Sequence, residues 1–220
     1  MTDTTSPTQL PTDAILAAAQ ISVQREADAL TSLAAQLDAS FVQVVLDVLA
    51  VTGKVITTGS GTSGAVAYRL AHLLSVSGTP AFYLPCLDAL HGSLGAVTAD
   101  DYVIAFSKGG RSEELNQLVR RLGERGITVL AVTETPDSPF AAAAAHVASI
   151  STQPSTADPG ELIAMGSTLV AGAWGDALAS TLMRLRDHSW SEVVNIHPGG
   201  TVGQQTTFPD ELTLENGVTR

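Results

Sequence analysis

The sequence predicts a three-layer α/β/α sandwich built on a mostly parallel sheet. Three observations lead there. From Lys54 onward, short β-branched runs alternate with amphipathic stretches, the pattern of right-handed crossover units. Two of the runs break into Ser/Gly turns that open directly into helices: Gly59-Ser60-Gly61-Thr62-Ser63-Gly64 and Ser107-Lys108-Gly109-Gly110-Arg111-Ser112. The chain's 220 residues, 45% of them hydrophobic, suffice for one sizeable core.

Taken in order, residues 1–12 are Thr-, Ser- and Pro-rich and read as a flexible tail. From Asp13, Ile15, Leu16, Ala19, Val23, Leu30, Leu33 and Leu37 recur at helical spacing and predict one long helix, with Thr12 and Asp13 at its cap. A second helix over 41–49 is expected to stop near Gly53. These N-terminal helices should pack outside the sandwich. Strands are predicted at 54–58, 80–84, 101–106, 126–133 and 147–150, with helices at 63–77 and 112–125 between them. After a polar stretch at 151–159, a helix over 161–186 is apolar all round and should be buried by the sheet or by another subunit. A helical turn at 191–196 precedes His197-Pro198-Gly199-Gly200. The expected organisation is one domain over 13–205, followed by a C-terminal tail at 206–220.

Charge narrows the partners. With 22 acidic and 11 basic side chains the net charge is −11, which opposes nucleic-acid binding but leaves room for one small phosphate. Lone Cys86 forms no intramolecular disulfide. No basic and apolar leader opens the sequence, and charged residues interrupt apolar stretches well before the ~18 residues of a membrane span. A soluble, cytoplasmic protein with no membrane partner is the expectation.

The 59–64 turn suits an anion, because glycine lets the backbone approach a ligand and the first N–H groups of the next helix point at it. It also satisfies the G-x-G-x-x-G dinucleotide pattern, yet no acidic residue ends the second strand to hold a ribose, and Asp88 comes late. A phosphosugar site at Ser60, Gly61, Thr62 and Ser63, a dinucleotide site and a structural glycine turn are therefore the three readings. In the 107–112 turn, Lys108 and Arg111 can neutralise a phosphate while Ser107, Ser112 and the Gly110 backbone bond it. The plain alternative is a helix start capped by Ser112, with Glu113 and Glu114 in its first turn.

His91 and His197 lie in glycine-flanked loops, where an imidazole has room to act as acid or base. His72 and His146 sit in apolar, core-like contexts, and His188 among surface-type residues. Glu161 opens the expected long helix, either as a base that moves a proton between adjacent carbons or as a favourable N-terminal charge. No metal-ligand spacing is present, and no cofactor is expected.

Together these pieces resemble the SIS (sugar isomerase) family of phosphosugar-binding domains, most of all the isomerase domain of arabinose-5-phosphate isomerases. The likeness is carried by the 59–64 turn, Ser77-Gly78-Thr79-Pro80, His91-Gly92-Ser93-Leu94-Gly95, Gly175-Asp176-Ala177-Leu178, and His197-Pro198-Gly199-Gly200 with Gly203. It implies a five-stranded parallel sheet and aldose–ketose interconversion through an enediolate. It also implies a homotetramer with sites at subunit boundaries and a catalytic role for His197. Three positions depart from that pattern. Thr62 stands where those isomerases carry Lys, Arg111 where they carry Glu, and Thr156 near where they carry another Glu. Gly110-Arg111-Ser112, Glu161 and Gly166-Ser167-Thr168 resemble instead the N-acetylmuramic acid 6-phosphate etherase branch. The paired regulatory CBS domains of many arabinose-5-phosphate isomerases are not expected. The functional expectation is a sugar-phosphate isomerase with His197, Glu161 and His91 as acid–base groups. A non-catalytic phosphosugar sensor and a lyase or etherase are the alternatives.

Overall fold

A computed structural model describes residues 11–215. The expected tail at 1–12 lies outside them, apart from Pro11 and Thr12. Five parallel strands form one sheet: β1 (Val55–Gly59), β2 (Ala81–Tyr83), β3 (Tyr102–Phe106), β4 (Thr128–Thr133) and β5 (His146–Ser149). Their order is β2-β1-β3-β4-β5. β1 and β3 are buried along their whole length; β3 reads as a continuous apolar run for that reason, whereas β1 buries Thr57 and Thr58 after Val55 and Ile56.

Helices cover both faces. On one face lie α1 (Thr12–Ala34), α2 (Ala39–Leu49), α3 (Thr62–Val76) and α7 (Gly166–Leu185), packed through Val48, Leu70, Leu74, Leu178 and Leu182. Trp174 of α7 stands edge-on to Phe41 of α2 and Phe106 of β3, tying two helices of this face to the sheet. The other face carries α4 (Cys86–Leu90), α5 (Glu113–Glu124) and α6 (Pro139–Ala143), seated through Leu115, Leu118, Leu122 and Phe140. α5 shows how the pattern works: Leu115, Leu118, Val119 and Leu122 turn inward while Arg120 and Arg121 stay exposed. A last helix, α8 (Trp190–Ile196), begins with a capping box between Ser189 and Glu192. The expected C-terminal tail returns to it, since Trp190 donates to Glu211 and to the Asp210 carbonyl.

Several local expectations need correction. The α1 N-cap is Pro11, with no side-chain cap from Thr12 or Asp13, and the helix stops at Ala34. Gly53 does not end α2, whose C-cap is Ala50; a Cβ at Gly53 would lie 2.5 Å from the Asp100 carbonyl, so glycine is needed for close packing there. Asp101 secures this corner by accepting from Lys54 N, Thr98 N and Thr98 Oγ1. Ser112 is the α5 N-cap by position but makes no capping hydrogen bond. α7 begins at Gly166, five residues after Glu161, because Pro159 and Gly160 (φ 63°) form a separate turn. His72 and His146 are exposed rather than core, whereas the His188 side chain is only 12% exposed, under Gly78. Among the described residues, no single helix is long and apolar enough to cross a membrane.

Candidate active site

The chain reverses direction across the sheet between β1 and β3. From β1 it passes through α3 to the outer strand β2; from β3 it passes through α5 on the opposite face to β4. The turns leaving these adjacent strands part from each other, opening a crevice beyond their carboxyl ends. The 59–64 and 107–112 turns are those two turns.

A cleft lies here. Its floor is apolar, from Val66, Phe106, Val132 and Ile150. Polar groups rim it from four segments: Thr62 and Ser63 from α3, Ser107 and Lys108 after β3, Glu134 after β4, and Ser167 and Thr168 from α7. Among its described lining residues, Lys108 is the one cation and Glu134 the one carboxylate.

Glycines shape the first turn in different ways. A Cβ on Gly59 would meet the Ser63 backbone at 2.8 Å, and one on Gly64 would meet the Tyr83 hydroxyl at 2.9 Å, so both allow α3 to sit tightly on the strands. Gly61, with φ 57°, would direct a Cβ into open space and is the α3 N-cap. Among the described residues the N–H groups of Thr62 and Ser63 have no backbone partner outside the helix, as is usual for the first turn of a helix. Ser60 is already engaged: its hydroxyl donates to Glu114 Oε1 at 2.6 Å, which holds the Glu114 carboxyl below its ordinary range.

The second turn is held from beneath. Ser107 Oγ accepts from Gly110 N at 3.2 Å, and Gly110 (φ 63°) lies against Ser138, with no room for a side chain. The Lys108 carbonyl accepts from Glu134 N at 3.1 Å and from Thr133 Oγ1 at 3.0 Å. The Lys108 ammonium is ion-paired with buried Asp158. Asp158 also accepts from Met165 N, Ser167 N and Ser167 Oγ. Burial alone would raise the Asp158 pKa, but the bonds from Lys108 and Ser167 outweigh it and hold the carboxyl below the usual aspartate range.

The predicted residues divide accordingly. Thr62, Ser63, Ser107 and Lys108 line the cleft; Ser60, Gly61 and Gly110 build its turns; Arg111 and Ser112 lie at the start of α5, Arg111 exposed. The three acid–base candidates do not line it. Glu161 is exposed, at φ 58°, and accepts from Ser155 Oγ at 2.8 Å. His91 is the exposed C-cap of α4. His197 follows α8 with its ring 6.2 Å from that of His72, edge to face. His72 is ten residues beyond Thr62 on the same helix, about 15 Å along its axis at about 1.5 Å per residue. Glu134 and Asp158 were missed. Their one sequence signal is position, a charged residue just past a predicted strand and one inside the polar stretch.

The SIS domain model matches residues 48–180, more than half of the chain. The chain belongs to the SIS family. Its SIS relatives include arabinose 5-phosphate isomerase KdsD of Pseudomonas aeruginosa, 36% identical over 90% of this chain and 61% of that one. The chain spans about three fifths of the length of the curated relatives it matches. Among solved SIS structures, a Listeria monocytogenes protein provisionally named a sugar-phosphate isomerase is 33% identical, with a TM-score of 0.82 over 87% of this chain and all of that one. The E. coli CFT073 protein c3406, solved in complex with arabinose 5-phosphate, gives the same TM-score at 26% identity, over 86% of this chain and all of that one. The Gly175-Asp176-Ala177-Leu178 segment of this SIS domain has a packing role: Gly175 admits Leu70 against α7, and Asp176 pairs with Arg69 of α3.

Proposed function

We propose that this SIS protein is a sugar-phosphate aldose–ketose isomerase working through an enediolate. One observation carries the reading: two Ser/Gly turns on adjacent strands enclose a cleft holding both a cation and a carboxylate, in a chain 36% identical to an arabinose 5-phosphate isomerase. The phosphate sits at the α3 N-terminus, on Thr62, Ser63 and their N–H groups, with Ser60, Gly61, Ser107, Gly110, Arg111 and Ser112 completing the cradle. Lys108 faces the sugar oxygens. No cofactor is required, because isomerisation moves a proton without net oxidation.

His197 and His91 enter this reading from a neighbouring copy in a homotetramer, since neither lines the cleft of its own chain. Glu161, on an exposed turn five residues before α7, completes the acid–base set at that boundary.

The test is incubation of purified protein with arabinose 5-phosphate and a panel of other pentose, hexose and aminosugar phosphates, followed by assay for ketose. Ketose formation from at least one, lost in Lys108→Ala, is the expected result. Thermal stabilisation by panel members without turnover of any would replace the isomerase with a phosphosugar sensor. Elimination products from a 3-substituted sugar phosphate would replace it with a lyase.

A further inference from the structure

The acid–base set of that reading gives no role to the cleft's own carboxylate. Glu134 follows the last residue of β4, at the carboxyl edge of the sheet, and is half-buried in the cleft wall. Its backbone N–H donates to the Lys108 carbonyl, and the Thr133 hydroxyl donates to the same oxygen. Two turns from neighbouring strands are thereby tied together, and the side chains of Lys108 and Glu134 reach the same cleft from backbones in direct contact. Thr152 Oγ1 donates to Glu134 Oε1, while Oε2 has no hydrogen-bond partner among the described residues. The carboxylate is thus oriented by one oxygen and open at the other. Such a group, held by Thr152 in a cleft that Lys108 also lines, is pre-organised for proton transfer.

We infer that Glu134 is the base that carries the proton between adjacent carbons of the bound sugar, an inference that rests on the isomerase reading. Glu134 removes the proton from C2 of the open-chain aldose. The C2–H electron pair becomes the C1–C2 double bond, and the carbonyl pair moves onto O1, beside the Lys108 ammonium. The hydroxyl proton passes from O2 to O1. Glu134 then returns its proton to C1 as the pair on O2 closes the new carbonyl. Atoms and electrons balance with no oxidant, reductant or cofactor. Glu161 and the two histidines cannot replace Glu134 within one chain, because none lines the cleft.

The experiment is turnover of arabinose 5-phosphate, or of the panel sugar phosphate that reacts, in D₂O, with deuterium incorporation followed beside the carbonyl. Glu134→Gln keeps an acceptor for Thr152, so it should retain the thermal midpoint and inorganic phosphate affinity of the wild type. It should lose about 10³-fold in kcat and in deuterium exchange. Glu134→Asp, which keeps the charge but draws it back from the cleft, should lose about tenfold in kcat with KM within about twofold. Thr152→Val should show a smaller kcat loss than Glu134→Gln. Wild-type turnover with Glu134→Gln or Glu134→Asp equally active would overturn the inference and leave the isomerase reading standing. A wild-type protein inert toward the whole panel would overturn both.

Discussion

Lys108 and Asp158 form an ion pair across fifty residues of sequence, with the aspartate side chain 2% exposed and the lysine side chain 39% exposed. The pair has two consequences. It fixes the cleft's cation at the wall, and it docks the start of α7, because the same carboxylate accepts from Met165 N, Ser167 N and Ser167 Oγ.

Asp158→Ala should therefore destabilise the fold as well as loosen the site. It strands a lysine, two backbone donors and a hydroxyl around an apolar methyl. Breaking a buried pair costs about 3–5 kcal/mol, and the partial water access of Lys108 places this case near 3 kcal/mol. Urea denaturation of wild type and variant measures it. A loss under about 1 kcal/mol would mean that the cluster re-forms around water.

The same carboxylate sets an acid limb. Its folded pKa is depressed below the unfolded value, so its contribution is fully present above about pH 4 and is lost as pH falls through the folded pKa. The stability gap between wild type and Asp158→Asn should be constant from pH 7 to about 5 and close below about 4. Asp101, depressed by bonds from Thr98 and Lys54 against its burial, adds an acid limb to both proteins and cancels from the difference. A gap that widens on acidification would contradict the assignment.

The sheet was readable in advance because its strands are short β-branched, aromatic or aliphatic segments set off by turn residues, and strand edges moved by only one or two positions. Helices of five residues were not. α4 and α6 are too short for a 3.6-residue period to show, and α6 is held mainly by its Ser138 cap and buried Phe140. The misplacement of Glu161 has a definite cause: in sequence Pro159 looks like the end of the polar stretch, but Gly160 at positive φ starts a turn of its own. In the site, the turns were legible because glycine spacing is local. Asp158 and Glu134 were not, since their roles come from Lys108 and Thr152, neighbours only in the folded chain. His72 reads as core from its apolar neighbours, but sequence neighbours say little about which side of α3 faces water.

Glycine substitutions should separate the frame of the 107–112 turn from its contact surface. At Gly110, a Cβ would lie 2.1 Å from Ser138 Oγ at φ 63°, so Gly110→Ala combines a left-handed backbone penalty with a clash. About 3 kcal/mol of lost stability is expected. At Gly109 nothing lies within 4 Å of a Cβ, and Gly109→Ala should stay within about 0.5 kcal/mol of wild type. Phosphate binding by calorimetry then becomes informative. Weaker binding in stable Gly109→Ala would identify that backbone as a surface the ligand approaches, and unchanged binding would remove Gly109 from the site.

The His72–His197 pair leads to a complementation test of the proposed shared site. His197 is seated beside a residue about 15 Å along α3 from the phosphate turn, so in a single chain its imidazole is remote from the cleft it is proposed to serve. If a neighbouring copy supplies it, His197→Ala and Lys108→Ala subunits each lack a different half of the site. Each should be inactive alone. Mixed after reversible dissociation, they should regain activity, because a hybrid pair contains one cleft with both native residues. For a pairwise-shared site with random mixing, half of the pairs are hybrid and one of their two clefts is intact, giving about a quarter of wild-type turnover. No regain would require His197 to act within its own chain through a rearrangement of the segment after α8, or not to act at all. Capture of untagged subunits on tagged ones shows that exchange has occurred, and subunits carrying both changes, mixed with wild type, then give the reciprocal reading. In a shared site every hybrid of that mixture lacks one half of each cleft, so efficient exchange should lower wild-type activity beyond simple dilution.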